Sequence, residues 1–180
     1  MKSKRNLIIG ALVLALVIAG AVVAYQRLSD SVELVPPPAQ QEPQAPAAGF
    51  SVEDSEGNTV ALADIEGPVV LNFWTTWCPS CTRMLPALQA AYEQFGSDVK
   101  FMMINLVGSR GETPARSQAF VEEQGYAFPL YFDTGNEAGR AFAVRYLPTT
   151  VFINSDGVEI HRQVGTMSES ALIEQIERIR

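Results

Sequence analysis

The stretch Phe73-Trp74-Thr75-Thr76-Trp77-Cys78-Pro79-Ser80-Cys81 decides how the rest of the chain is read. It holds the only two cysteines among 180 residues, spaced Cys-x-x-Cys. An apolar run, Val69 to Trp74, leads into it and has the continuous hydrophobicity of a central buried strand. A helical pattern leads out: from Cys81 to Phe95, Met84, Leu85, Leu88, Tyr92 and Phe95 share one side, with Pro86 an expected kink. A strand that ends in Cys-x-x-Cys at the opening of a helix is the arrangement of a dithiol redox site.

The helix N-terminus presents unpaired N–H groups and a partial positive charge, and both favour a thiolate. Cys78, in the first turn, is therefore the expected nucleophile, with a lowered pKa. Cys81, one turn further in, is the expected resolving thiol. Pro79 fixes the turn, Ser80 completes it, and Trp77 is expected to shield one side of the sulfurs. Structural zinc needs about four Cys or His ligands, and the chain has one His. Covalent haem needs His directly after the second Cys, where Thr82 stands. A pair of inert buried thiols is the bland alternative.

Towards the N-terminus, Lys2, Lys4 and Arg5 precede Leu7 to Ala24, 18 residues without a charge. A helix needs roughly 17–25 apolar residues to span a bilayer. Residues 1–25 therefore read as a single-pass anchor, with the basic flank in the cytoplasm and the bulk exported. A cleaved signal peptide ending at Val22-Val23-Ala24 is the competing reading. No cysteine follows the run to carry a lipid. Residues 26–48 contain Pro36, Pro37, Pro38, Pro43 and Pro46 among Ala, Gln and Glu, a semi-rigid linker. Residues 49–180 form the expected globular domain. From Ala48 onward 17 acidic residues face nine basic ones, a net of −8 that argues against nucleic acid and anionic membrane surfaces.

Within the domain, Phe50–Asp54 and Thr59–Leu62 flank the turn Ser55-Glu56-Gly57-Asn58. A helical turn is expected at Ala63–Glu66 and is broken by Gly67-Pro68. Past the dithiol come a strand at Val99–Asn105, a helix from Thr113-Pro114 to Gln124, a strand at Pro129–Phe132 and a short helix at Asn136–Phe142. Thr149–Ile153 and Val158–Val164 form a hairpin around Asn154-Ser155-Asp156-Gly157. Thr166-x-x-Glu169 has the form of a capping box opening a last helix to about Ile179. This order predicts an α/β domain with a mixed sheet covered by helices on both faces.

Phe73 to Pro86, "FWTTWCPSCTRMLP", resembles the active-site segment of the thioredoxin superfamily, nearest to the membrane-anchored TlpA/ResA-type thiol-disulfide oxidoreductases with redoxin, AhpC/TSA-like domains. Leu147-Pro148-Thr149-Thr150, followed by Val151-Phe152-Ile153, is similar to the second signature of that family. The strand-helix material from Arg110 to Phe132 fits the same branch. The resemblance implies a thioredoxin-like fold and a cis peptide at Pro148 facing the cysteines. It also implies a substrate groove shaped by Trp77, Pro79, Ser80, Leu147, Pro148 and Thr149. Two departures stand out. Asn72 occupies the place of a buried Asp in thioredoxins, and Met84 that of a Glu in many ResA-like proteins. Water or another group must then take the Cys81 proton, with Asp64, Glu66 and Glu112 as candidates.

Among other residues, His161 is expected to face solvent or be satisfied, Trp74 to pack in the core, and Arg110 and Arg116 to be paired or solvated. Gly108-Ser109-Arg110-Gly111 reads as a loop, not a phosphate cradle. The resemblance implies an exported oxidoreductase acting on protein thiols and disulfides, with reduction as its direction and apocytochrome c among possible substrates. A membrane thiol-disulfide donor would restore the dithiol, with no metal or organic cofactor. Two alternatives remain. A peroxiredoxin-type peroxidase has Thr75 in its favour but Leu71 where Pro is required. A non-catalytic binding module would use the groove without the chemistry.

Overall fold

The computed structural model describes residues 16–21 and 49–180. The expected anchor, Leu7–Ala24, lies largely outside them and the linker, Gln26–Ala48, wholly outside. Residues 16–21 are helical, with Leu16, Val17 and Ile18 exposed. Among the described residues no helix is long and apolar enough to cross a membrane.

The domain opens with a hairpin, β1 (Ser51–Asp54) and β2 (Thr59–Ala61), then a 3-10 turn at Leu62–Asp64. It continues through β3 (Val69–Trp74), α1 (Pro79–Phe95), β4 (Lys100–Leu106), α2 (Pro114–Gln124), β5 (Leu130–Asp133) and α3 (Glu137–Ala141). The hairpin β6 (Thr149–Ile153) and β7 (Glu159–Val164) and the helix α4 (Glu169–Ile179) complete it. The element order is the expected one, with boundaries moved by a residue or two. Helix α1 runs through the exposed Pro86 without interruption. The expected capping box is displaced: Ser168, not Thr166, caps α4, its hydroxyl accepting from the Ala171 N–H at 3.2 Å. Met167 first packs against the core, so the chain turns helical only after it, and Glu169 falls in the first turn rather than at the third helical position.

The seven strands lie in the order β2-β1-β5-β4-β3-β6-β7. Strands β3, β4 and β5 run parallel, β6 runs antiparallel to β3, and β7 antiparallel to β6. The carboxyl ends of β3, β4, β5 and β7 therefore share one edge of the sheet. Helices α1, α2 and α4 also start at that edge.

Successive strand residues point to opposite faces, and this divides the core in two. Val70 and Trp74 of β3, Phe101 and Met103 of β4 and Phe152 of β6 pack with Leu85, Leu88, Val121, Leu172 and Ile176, beneath α1, α2 and α4. Val69, Leu71, Phe73, Met102, Ile104, Val151 and Ile153 pack on the other face with Phe50, Ala138 and Phe142. Both faces of β3 are buried, which is why its sequence shows no polar alternation. The mixed sheet with helices on both faces is thus present, three helices on one side and the short α3 on the other.

Candidate active site

Buried on both faces, β3 delivers the chain to its carboxyl edge at Trp74. Thr75 to Trp77 then turn it into α1, with the Cys78 N–H reaching the Thr75 carbonyl at 3.4 Å. Cys78 is the N-cap of α1 and Pro79 its first residue, where the missing N–H costs no bond. The Cys78 Sγ accepts from the Cys81 N–H at 3.3 Å. The two cysteines form a disulfide, their Cα atoms 5.2 Å apart. Cys78 retains 6% exposure and Cys81 only 1%, so an incoming sulfur meets Cys78 first.

Of the expected groove residues, Ser80 and Leu147 stand beside this pair, while Thr149 shares the sheet face of Val151 and Ile153. The Leu147–Pro148 peptide is cis. The Ser80 hydroxyl lies 3.3 Å from the Cys78 Sγ and 3.5 Å from the Leu147 carbonyl, bringing the β6 entrance alongside the disulfide. Thr149 is buried and donates through Oγ1 to the Tyr146 carbonyl at 2.7 Å. Trp77, half-buried against the same core as the cysteines, donates through Nε1 to the Ser109 carbonyl at 3.1 Å. Arg110 is neither ion-paired among the described residues nor simply solvated. Its guanidinium covers the Trp77 ring at 4.7 Å, a cation–π contact.

Of the three carboxylates considered as proton acceptors, Asp64 and Glu66 are exposed and precede β3, at the edge opposite the disulfide. Glu112 reaches the site. It is 1% exposed and accepts from the Thr76 N–H at 2.9 Å, the Thr76 hydroxyl at 2.6 Å and the Asn105 side-chain amide at 2.7 Å. It thereby ties the turn before Cys78 to β4. The other buried carboxylates are engaged elsewhere: Asp133 accepts from N–H groups of α3, and Glu159 pairs with Arg162. Asn72 donates to the Thr150 hydroxyl at 2.9 Å, and Met84 is core. Asn72 Oδ1, Asn105 Oδ1 and Trp74 Nε1 are buried without a hydrogen-bond partner among the described residues and lie on the α1 side of the sheet. A local sequence signal could not have separated Glu112 from Glu66; the pairing of β3 with β4 does.

Of the remaining candidates, Trp74 is fully buried in the core, its ring tilted against Phe120. His161 is half-buried against the Phe152 ring rather than solvent-facing, and burial, then the charge of Arg178, lowers its pKa. Arg116 is exposed near the start of α2.

A nucleophile-capable sulfur at a helix cap, with a more enclosed partner sulfur one turn away, can exchange disulfides. Comparisons with known proteins agree. The AhpC/TSA family model matches residues 43–161. The thiol-disulfide oxidoreductase ResA of Bacillus subtilis is 31% identical over 100% of this chain and 97% of its own length. ResA of Halalkalibacterium halodurans is 35% identical over 74% of this chain and 75% of its own length. The crystal structure of StoA from Bacillus subtilis superposes with a TM-score of 0.63 at 28% identity, covering 73% of this chain and 98% of that one. The site and the shared length of chain around it lead to one conclusion: the chain belongs to the AhpC/TSA family and is a thiol-disulfide oxidoreductase of the ResA/StoA type.

Proposed function

We propose that this oxidoreductase works outside the cytoplasm, tethered by residues 1–25 and held off the membrane by the proline-rich linker 26–48, and that it reduces disulfides of other proteins. The observation that carries the exchange chemistry is the difference between its sulfurs: Cys78 caps α1 and keeps a small exposure, and Cys81 is enclosed beneath it. In the reduced protein the Cys78 thiolate attacks a substrate disulfide, forming a mixed disulfide and releasing one substrate thiolate. Cys81 then loses its proton and attacks the Cys78 sulfur. The second substrate thiolate leaves, and two electrons have passed to the substrate. Trp77, Pro79, Ser80 and Leu147 form the surface on which the substrate chain rests, with the buried Pro148 and Thr149 behind it. A membrane dithiol donor then restores the pair without metal or organic cofactor. Apocytochrome c, which presents paired cysteines, is a substrate of the right chemistry.

Exchanging each cysteine separately tests the roles. Cys81→Ala is expected to accumulate mixed disulfides through Cys78, seen as reducible high-mass bands on non-reducing gels, and Cys78→Ala to accumulate none. The reverse pattern would exchange the two roles. Direction is read from the reduction potential: a value well above that of the glutathione couple would make the protein an oxidant. Membrane fractionation of the full chain, with protease accessibility from the outer side, tests the tether and its orientation.

A further inference from the structure

Cys78 caps α1, so the place of its sulfur depends on how the turn Thr75–Trp77 enters the helix. The backbone bond that closes this turn, from the Cys78 N–H to the Thr75 carbonyl, is long at 3.4 Å. The β4–α2 loop holds the turn from outside. The Glu112 carboxylate takes both the N–H and the hydroxyl of Thr76, at 2.9 and 2.6 Å, and the Ser109 carbonyl takes the Trp77 Nε1–H at 3.1 Å. Arg110, at φ 51°, occupies a left-handed region that non-glycine residues seldom adopt, and from there its guanidinium covers the Trp77 ring. The loop is closed by backbone: the Gly108 N–H donates to the Glu112 carbonyl at 3.0 Å, and the Glu112 N–H to the Ser109 carbonyl at 2.9 Å. Loop closure therefore does not use the buried Glu112 side chain, which serves Thr76 and, through the Asn105 amide, the end of β4.

We infer that Glu112 is a positioning residue for disulfide exchange: acting through Thr76, it sets Cys78 at the cap of α1, where the Cys81 N–H and the helix dipole stabilise the attacking thiolate. It works by its acceptor oxygens, not by its charge. A carboxylate charge near the sulfur would act in the opposite sense, because a like charge disfavours the thiolate. The two effects therefore differ in sign, and a titration of Cys78 separates them. The inference rests on the role of Cys78 as nucleophile in the exchange proposed above.

The test uses the full-length reduced protein in neutral detergent and follows the pH dependence of Cys78 alkylation by iodoacetamide, located by peptide mass. Glu112→Ala is expected to raise the pH of half-maximal alkylation by about 1 unit, the loss of one hydrogen bond to a charged group. It should also slow reduction of 2-hydroxyethyl disulfide at about pH 7 by at least ~3-fold. Glu112→Gln, which keeps one carbonyl oxygen, should shift the profile less and in the same direction. Thr76→Val, which keeps the N–H and loses the hydroxyl, should also raise it, and Thr76→Ser should restore the parent profile. The Thr76 pair decides the matter if Glu112→Ala does not fold. Phe50→Leu, a core change on the far face of the sheet, should lower the urea midpoint and leave the alkylation profile in place. Unchanged profiles in the Glu112 and Thr76 variants, with lowered urea midpoints, would reduce Glu112 to a structural residue. A downward shift would make its charge the cause. Either result overturns the inference and leaves the exchange chemistry standing. Alkylation of the parent at Cys81 before Cys78 would overturn the nucleophile assignment and the inference together.

Discussion

Glu112 and Thr76 are 36 positions apart in the chain, yet the Glu112 carboxylate holds both the N–H and the hydroxyl of Thr76, two residues ahead of Cys78. Removing a buried acceptor strands its donors, at a cost of about 1–3 kcal/mol. Glu112→Ala should therefore lower stability by at least that range in urea titrations of the reduced protein, and Glu112→Gln, which keeps one carbonyl oxygen, should cost less. Equal losses for the two would show that packing, not hydrogen bonding, is what Glu112 supplies. His161 gives a pH signature. Its folded pKa lies below the ordinary value because burial opposes the charged ring. As pH falls through the unfolded-state pKa, about 6.5, the unfolded chain takes up a proton that the folded chain resists, and stability declines until the folded pKa is passed. Urea midpoints at about pH 7.5 and about pH 5 should differ less in His161→Gln than in the parent.

At the scale of elements, the ends of the helices carry the most specific information. Pro79 and Pro114 open α1 and α2, and Thr113 caps α2 through the Arg116 N–H at 3.2 Å. Gly125 ends α2 in the left-handed conformation, at φ 72°. The signals at Thr113-Pro114 and at the end of α2 are local, and the sequence reading placed them correctly, whereas it set Cys78 inside the first turn of α1 rather than at its cap. The start of α4 is different, because Thr166 and Ser168 are both good caps and the packing of Met167 chooses between them. Ser168→Ala should cost about 1 kcal/mol and Thr166→Ala close to nothing. Thermal melts of the two variants check this, and the opposite order would restore Thr166 as the cap.

For the whole molecule, helix α4 lies against α1, and its Leu172 and Ile176, both fully buried, belong to the core that also holds Cys78 and Cys81. The last helix in the sequence therefore supports the first functional element. Leu172→Ala should destabilise the protein by about 2–5 kcal/mol in urea unfolding. A loss below ~1 kcal/mol would mean that α4 docks too loosely to support the site. The same topology brings together loops distant in the chain: the turns after β3 and β4, the loop before Pro148, and the start of α4 all meet at one edge.

Sequence by itself determined the redox pair, its strand-to-helix setting, the element order and the family, because each rests on neighbours within a few positions or on hydrophobic periodicity. The buried run Val69–Trp74 and the spacing of Cys78 and Cys81 are properties of the local chain. Tertiary structure alone decided which carboxylate reaches the site, which cap opens α4 and that Arg110 lies over Trp77. Each of those depends on contacts between segments far apart in the chain, the pairing of β3 with β4 and the packing of Met167 on the core, and only the folded domain sets those distances.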